Sequence, residues 1–322
     1  MFPAELALLE ARLATGLEAI ETRLRQEISS EYELADITAR HLVEAGGKRF
    51  RPLLVLLAAQ FGDDQASGVV PAAVVVELTH LATLYHDDVM DEAEVRRGAQ
   101  SANSRWGNTV AILSGDFLFA RSSKLLAELG PQAVRVQAET FERLVIGQLR
   151  ESVGPKAGED PITHHLGVLA DKTGSLIAAA GRYGAMMAGV SASLTDEIAK
   201  FGESIGIAFQ LSDDLLDIES DNSGKTPGTD LREGIRTLPV LLALNDPRTS
   251  ETLRDLLSRP LTNHVEHAQA LAELRAHPAM DQARIVLDEW IARAVTALEP
   301  LPDGDAKTAL RTLCDSIANR SI

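Results

Sequence analysis

The chain has 322 residues, of which 45% are hydrophobic and only 4% aromatic, and its net charge at neutral pH is -16. Such acidity excludes a general affinity for nucleic acid or for an anionic membrane surface, so any phosphate site has to be a local basic cluster. Cys314 is the single cysteine, which excludes an internal disulfide framework and a thiolate metal site and fits a reducing compartment.

The opening MFPAELALLEARL carries acidic residues early and lacks a basic segment followed by an apolar core, so it does not read as a signal peptide. No stretch reaches about 18 uninterrupted apolar residues, which argues against a transmembrane segment and leaves the cytoplasm as the simplest location. Helical periodicity predicts an amphipathic helix over 4–27, then helices near 52–61, 70–92, 108–129, 131–152, 162–189, 195–218 and 236–245. Strand-like alternation is nearly absent, and Ala and Leu dominate over β-branched runs. Breaks rich in Gly, Pro, Asp or Ser fall at GGKRFRP (46–52), FGDDQASG (61–68), RRGAQSANSRWGN (96–108), VGPKAGEDP (153–161) and DNSGKTPGTDLREG (221–234). After Asn245 the pattern predicts shorter, more polar helices, a peripheral layer over 246–322. The expectation is one all-α domain spanning 1–322.

Two Asp-rich segments, HDDVMDEAEVRRG and SDDLLDIESDNSGK, each close an apolar helical run. Asp87 and Asp91 lie four apart and share a helix face, while Asp88 turns aside; Asp213 and Asp217, with Asp214, repeat the pattern. Like charges at that spacing destabilise a helix unless a cation sits between them. Carboxylates without partnering His or Cys suit a hard cation, and magnesium keeps water and takes substrate phosphate as its remaining ligands. One DDxxD is commonly a solvated helix end. Three fixed Asp arise by chance in about one window in four thousand, so two copies point to metal. If their helices face each other, the clusters line opposite walls of one cavity, and several magnesium ions clamp one diphosphate.

In GGKRFRP, Gly46 and Gly47 can adopt conformations closed to other residues, and Pro52 suits the first turn of a helix. Lys48 and Arg51 then stand at a helix N-terminus, where free N–H groups and the dipole favour an anion. Arg96 and Arg97 supply a second basic pair, or else neutralise Glu92 and Glu94. His80 lies two turns before Asp87 on the same stripe, where a histidine is commonly a hydrogen-bonded core residue. Together these groups describe a site for two diphosphates, one bridged by magnesium and one held by side chains.

GGKRFRP, HLATLYHDDVMDEAEVRRG, DKTGSL (171–176) and GIAFQLSDDLLDI followed by GKTPGTD stand in the same order as in the trans-polyprenyl diphosphate synthases, which the chain resembles from about residue 40 to 245. The resemblance implies an isoprenoid-synthase helical bundle with a deep central cavity, usually a homodimer, that condenses an allylic diphosphate with isopentenyl diphosphate. By motif position, Lys48, Arg51, His80 and Arg97 correspond to binders of isopentenyl diphosphate. Arg96, Lys172, Thr173, Gln210 and Lys225 correspond to binders of the allylic diphosphate, and Lys172 joins the Asp residues in the catalytic set. Asp87, Asp91 and Asp213 correspond to magnesium ligands, with Asp88, Asp214 and Asp217 in supporting roles. One departure is the segment GK-x-TLP of many members: here Gly234, Ile235, Arg236, Thr237, Leu238 and Pro239 stand instead, with Arg236 as the candidate to cover the missing lysine.

Ala82 and Thr83, five and four residues before Asp87, stand where short-chain members carry bulky aromatic residues, so the resemblance implies a long product, heptaprenyl to decaprenyl. A farnesyl or geranylgeranyl product with Phe141 as the floor, and a catalytic subunit that needs a partner chain, stay open as alternatives. A class I terpene cyclase would need neither Lys48, Arg51 and Arg97 nor two complete Asp clusters.

Overall fold

The computed structural model describes residues 6–219 and 227–321; Lys225 lies outside the described residues. Among the described residues sixteen α-helices follow one another: α1 (Ala7–Ile28), α2 (Glu33–Glu44), α3 (Phe50–Ala59), α4 (Val69–Met90), α5 (Ala102–Trp106), α6 (Asn108–Leu129), α7 (Pro131–Val153), α8 (Pro161–Leu169), α9 (Ser175–Met187), α10 (Ala192–Glu219), α11 (Thr229–Glu233), α12 (Leu238–Asn245), α13 (Glu251–Leu257), α14 (His264–Arg275), α15 (Ala279–Leu298) and α16 (Asp305–Ala318). Among the described residues the only strands are β1 (Val95–Arg96) and β2 (Ala99–Gln100), an antiparallel hairpin. The fold is all-α.

The chain forms two compact units. The first holds the residues up to Phe141 together with Leu176–Ala199 and Pro300–Ala309; the second holds Glu142–Ser175, Lys200–Glu299 and Leu310 onward.

In the first unit α1 buries Leu9, Leu13, Ile20, Leu24 and Ile28, the one-sided stripe of an amphipathic helix. α4 is apolar on nearly every side, VVPAAVVVELTHLATL, and packs against α1, α3 and α6. By length and apolar composition this helix would pass as a membrane span, against the sequence-based expectation that none qualifies, yet most of its apolar stretch is buried inside the protein. It is a core helix. Its contact with α6 is close because Gly115 has no side chain: a Cβ there would lie 2.4 Å from His86 Nε2 and 3.1 Å from the Ala82 carbonyl oxygen. Its buried Thr79 is satisfied within the unit, donating to the Val75 carbonyl at 2.8 Å and accepting from Gln137 Nε2 at 2.9 Å.

Several elements differ from the periodicity. α2, α5 and α11 fall where no helix is expected; α2 buries only Thr38, Ala39, Leu42 and Val43, too faint an apolar stripe to register. α15 has 20 residues, longer than the expected short helices, because alanines at 279, 283, 294 and 297 form much of its buried face. The single helix expected over 162–189 contains one wide π turn, Ala170–Gly174, between α8 and α9.

Candidate active site

Asp87 and Asp88 lie in the last turn of α4, and Asp91 is its C-cap, its N–H donating to the Asp87 carbonyl at 2.8 Å. Three carboxylates thus crowd the negative end of a helix dipole, an arrangement that a cation relieves. Asp88 is fully buried; its Oδ1 accepts from Arg96 Nε at 2.6 Å, and its Oδ2 has no hydrogen-bond partner. Burial raises the pKa of this carboxyl, with Arg96 pulling the other way. Asp87 is half-buried and Asp91 exposed. Arg96 therefore serves Asp88, and Asp87 with Asp91 forms the carboxylate pair one turn apart. Among the described residues no three His, Cys, Asp or Glu side chains converge as a ready-made metal cage. An all-oxygen pair still fits magnesium, which retains water and completes its shell with substrate phosphate.

The hairpin that follows turns at Arg97 (φ 54) and Gly98 (φ 77), both left-handed, as a two-residue I′ connection requires. Arginine is unusual at the first of these positions. Its guanidinium Nη1 donates to the carbonyls of Leu42, at 3.0 Å, and Gly46, which fastens the hairpin to the loop before α3. In that loop Arg49, also left-handed (φ 48), caps α3, with exposed Lys48 before it and Arg51 in the first turn. Arg49 is nearly buried and bridges Glu21 and Glu77, the latter at 2.7 Å, while Nη2 reaches the Val43 carbonyl at 3.2 Å. Arg51 has a buried Nε without a hydrogen-bond partner; burial pulls its pKa down to about 10, so it remains a cation at neutral pH. Burial, then the charges of Arg51, Arg97, Arg49 and Arg96, hold His80 well below the usual histidine pKa, and it stands neutral beside them. The result is a cluster of four arginines, Arg49, Arg51, Arg96 and Arg97, around neutral His80, in which one buried guanidinium N–H of Arg51 has no hydrogen-bond partner, the kind of group that an anion satisfies.

Ala82 is fully buried and Thr83 half-buried, the Thr83 hydroxyl donating to the His80 carbonyl at 2.8 Å. The nearest aromatic on this turn, Tyr85, is buried and points its hydroxyl at Thr38 and Leu42 of α2. Phe141 stacks edge-on against Phe119 with ring centres 4.6 Å apart, and Phe119 lies 5.7 Å from the ring of His86, immediately before Asp87.

In the second unit Asp213, Asp214 and Asp217 occupy the C-terminal end of α10, again at the negative pole of a helix. Asp213 Oδ1 lies 3.3 Å from Arg320 Nη2. Asp214 is buried; Gln210 Nε2 donates to its Oδ1 at 3.3 Å, and His165 Nε2 is 3.5 Å from its Oδ2. Asp217 accepts from the N–H groups of Thr229 at 3.1 Å and Asp230 at 3.2 Å, so it caps α11. Lys172 and Thr173 sit in the π turn, Lys172 Nζ paired with Glu151. Arg236 donates to the Ser258 carbonyl at 3.2 Å, and its neighbour Ile235 is exposed.

The sequence pattern described as polyprenyl synthetase matches residues 33–274. The chain belongs to the polyprenyl synthetase family. Nonaprenyl diphosphate synthase of Mycobacterium tuberculosis is 47% identical over 318 residues, 98% of this chain and 95% of that protein. Among solved structures, geranylgeranyl pyrophosphate synthase from Corynebacterium glutamicum, complexed with calcium and isoprenyl diphosphate, superposes with a TM-score of 0.89 at 45% identity, covering 98% of each chain. A decaprenyl diphosphate synthase from Rhodobacter capsulatus superposes at 0.88 with 32% identity and the same coverage. This family member is a polyprenyl diphosphate synthase, an enzyme that transfers prenyl groups.

The motif reading of this synthase passed over Arg49, Glu21 and Glu77. Glu77 was the available signal, a lone carboxylate in the run VVPAAVVVELTHLA. A charge in such a helix has to be paired when buried, and Arg49 is the partner.

Proposed function

We propose that this synthase makes a long all-trans prenyl diphosphate, in the heptaprenyl to decaprenyl range, by repeated addition of isopentenyl diphosphate to an allylic diphosphate. The observation that carries the reading is the pair Ala82 and Thr83 on α4, small residues on the turn before Asp87, with Tyr85 turned toward α2. The nonaprenyl and decaprenyl relatives support it; the geranylgeranyl relative favours a second reading, a shorter product closed by Phe119 and Phe141. Extracted products of the wild type, Ala82→Phe and Thr83→Phe, resolved by chain length with isopentenyl diphosphate in excess, separate the two. We expect products of at least heptaprenyl length from the wild type and shorter ones from the Phe variants. A wild type that stops at geranylgeranyl diphosphate would overturn the long-chain reading.

In the proposed reaction Asp87, Asp91 and Asp213 would hold magnesium, three ions per site, with Asp88, Asp214 and Asp217 in support. Bound there, magnesium would neutralise charge on the departing diphosphate. Lys172, Thr173, Gln210, Arg96 and Lys225 bind that diphosphate, and Lys172 stabilises the charge that develops as the allylic carbon–oxygen bond breaks. Lys48, Arg51, Arg97 and neutral His80 orient isopentenyl diphosphate so that its double bond attacks the allylic carbon; the proton then lost goes to the released diphosphate. Apolar walls exclude water that would quench the cation. The enzyme works as a homodimer, a reading that rests on the resemblance.

Lys48→Ala is expected to raise the KM for isopentenyl diphosphate about tenfold or more, since hydrogen bonds to charged groups contribute roughly 1.5–3 kcal/mol. The KM for the allylic primer should barely move. Equal effects on both substrates in initial-rate measurements would undo the assignment.

A further inference from the structure

The run from Pro161 to Met187 is helical throughout, and dihedral angles at Leu169, Ala170 and Ser175 are those of an α-helix. Between them the Ser175 N–H reaches back five residues to the Ala170 carbonyl, which inserts one extra residue into the turn carrying Lys172 and Thr173. π turns of this kind are rare and concentrate at functional sites. Without support, a continuous α register would rotate these side chains to another face.

One face of α7 supplies the support. Arg143, Gly147, Arg150 and Glu151 recur at helical spacing, and all four meet the turn. Arg143 Nε donates to Asp171 Oδ1 at 3.0 Å, and its Nη2 reaches the Ala170 carbonyl at 3.2 Å and Glu203 Oε1 at 2.6 Å. Arg150 Nη1 donates to the other Asp171 oxygen at 3.3 Å. Gly147 brings the α7 backbone against the turn, since a Cβ there would lie 2.8 Å from the Lys172 nitrogen. Glu151 pairs with the Lys172 ammonium. The Ser175 hydroxyl closes the turn from within, donating to the Asp171 carbonyl at 2.5 Å.

We propose that Arg143 is a positioning residue for the allylic diphosphate: by gripping the Ala170 carbonyl and the Asp171 carboxylate in one planar fork, it fixes the π turn and thereby aims Lys172 and Thr173. The inference rests on the assignment of those two residues to the allylic substrate made above. A lysine cannot reproduce this, because an ammonium lacks the rigid fork that meets three acceptors at once.

The test compares Arg143→Gln, Arg143→Lys, Lys172→Ala and the double variant Arg143→Gln/Lys172→Ala, measuring KM for each substrate, kcat and the thermal midpoint. Arg143→Gln should raise the allylic KM about tenfold to a hundredfold, the range associated with displacing a group by an ångström. The KM for isopentenyl diphosphate should stay at the wild-type value, and Arg143→Lys should recover only part of the loss. In the Lys172→Ala background the Arg143 change should add little, because both act through one group. A purely structural role would lower the thermal midpoint without separating the two KM values, and that outcome would overturn the inference, as would full additivity in the double variant. Should Arg143→Gln fail to fold, Asp171→Asn gives the same readout while keeping the shape of the turn. If Lys172→Ala raises the allylic KM but Arg143→Gln does not, the positioning role alone falls. An unchanged allylic KM in Lys172→Ala removes the Lys172 assignment and this inference with it.

Discussion

Replacing Asp87 by alanine is expected to lower kcat by about a hundredfold to a thousandfold, the loss typical of removing one preorganised electrostatic group. Of the three carboxylates at the end of α4, Asp88 is buried against Arg96, while Asp87 and Asp91 lie one turn apart, the spacing proposed above to share a cation. The fold should survive, because the change removes a negative charge from the pole of the helix where the dipole disfavours it. Asp88→Ala should behave differently, exposing the partner role of Arg96 and loosening the hairpin that carries Arg97. The measurement is turnover at saturating concentrations of both substrates across a magnesium titration, with circular dichroism to verify folding. Full activity in excess chelator, or in the Asp87→Ala/Asp213→Ala double variant, would overturn the metal reading.

The largest stability loss is expected at Arg49. Arg49→Met leaves Glu77, 2% exposed, without its 2.7 Å partner, and breaking a buried ion pair from one side costs about 3–5 kcal/mol. It also releases Glu21 of α1 and the Val43 carbonyl, so three parts of the first unit lose a common tie. The left-handed backbone at Arg49, which a side chain adopts only when its surroundings hold it, then loses its main restraint. The double variant Arg49→Met/Glu77→Leu should recover part of the loss, since replacing both charges by apolar groups removes the uncompensated carboxylate. Recovery stays incomplete because Glu77 also offsets the charges of Arg51 and Arg97. Urea midpoints for the three proteins provide the measurement. An Arg49→Met variant as stable as wild type would show that Glu77 is not held by this pair.

Much of this was legible in the chain. Helical periodicity located α1, α3, α4, α6, α7, α10 and α12 to within a few residues, because each buries a stripe or a whole surface of apolar side chains whose spacing is a local property. α2 was missed, since Leu42 and Val43 are the only branched apolar residues among the four it buries. The sequence likewise supplied the groups of the proposed chemistry, the Asp pairs and the cations at 48, 51, 96 and 97 through residue type and spacing, and Lys172 and Lys225 through the family resemblance.

What each of those groups does in the folded protein was decided by packing. Asp88 and Asp87 are adjacent, yet one is buried against Arg96 and the other half-buried, a difference set by the side of α4 on which each falls. Arg97 reads as one more cation in sequence, and in the fold its Nη1 also braces two carbonyls more than fifty residues earlier. Glu77 announces itself as a misplaced charge, but only the fold brings Arg49 to it, and only the fold puts Arg143 against the turn that carries Lys172. Spacing along one helix fixes which side chains share a face. The sequence therefore determined the family, the all-α class and the inventory of charged groups, whereas the tertiary structure decided which charges compensate one another, because pairing across long loops depends on packed geometry that no local pattern encodes.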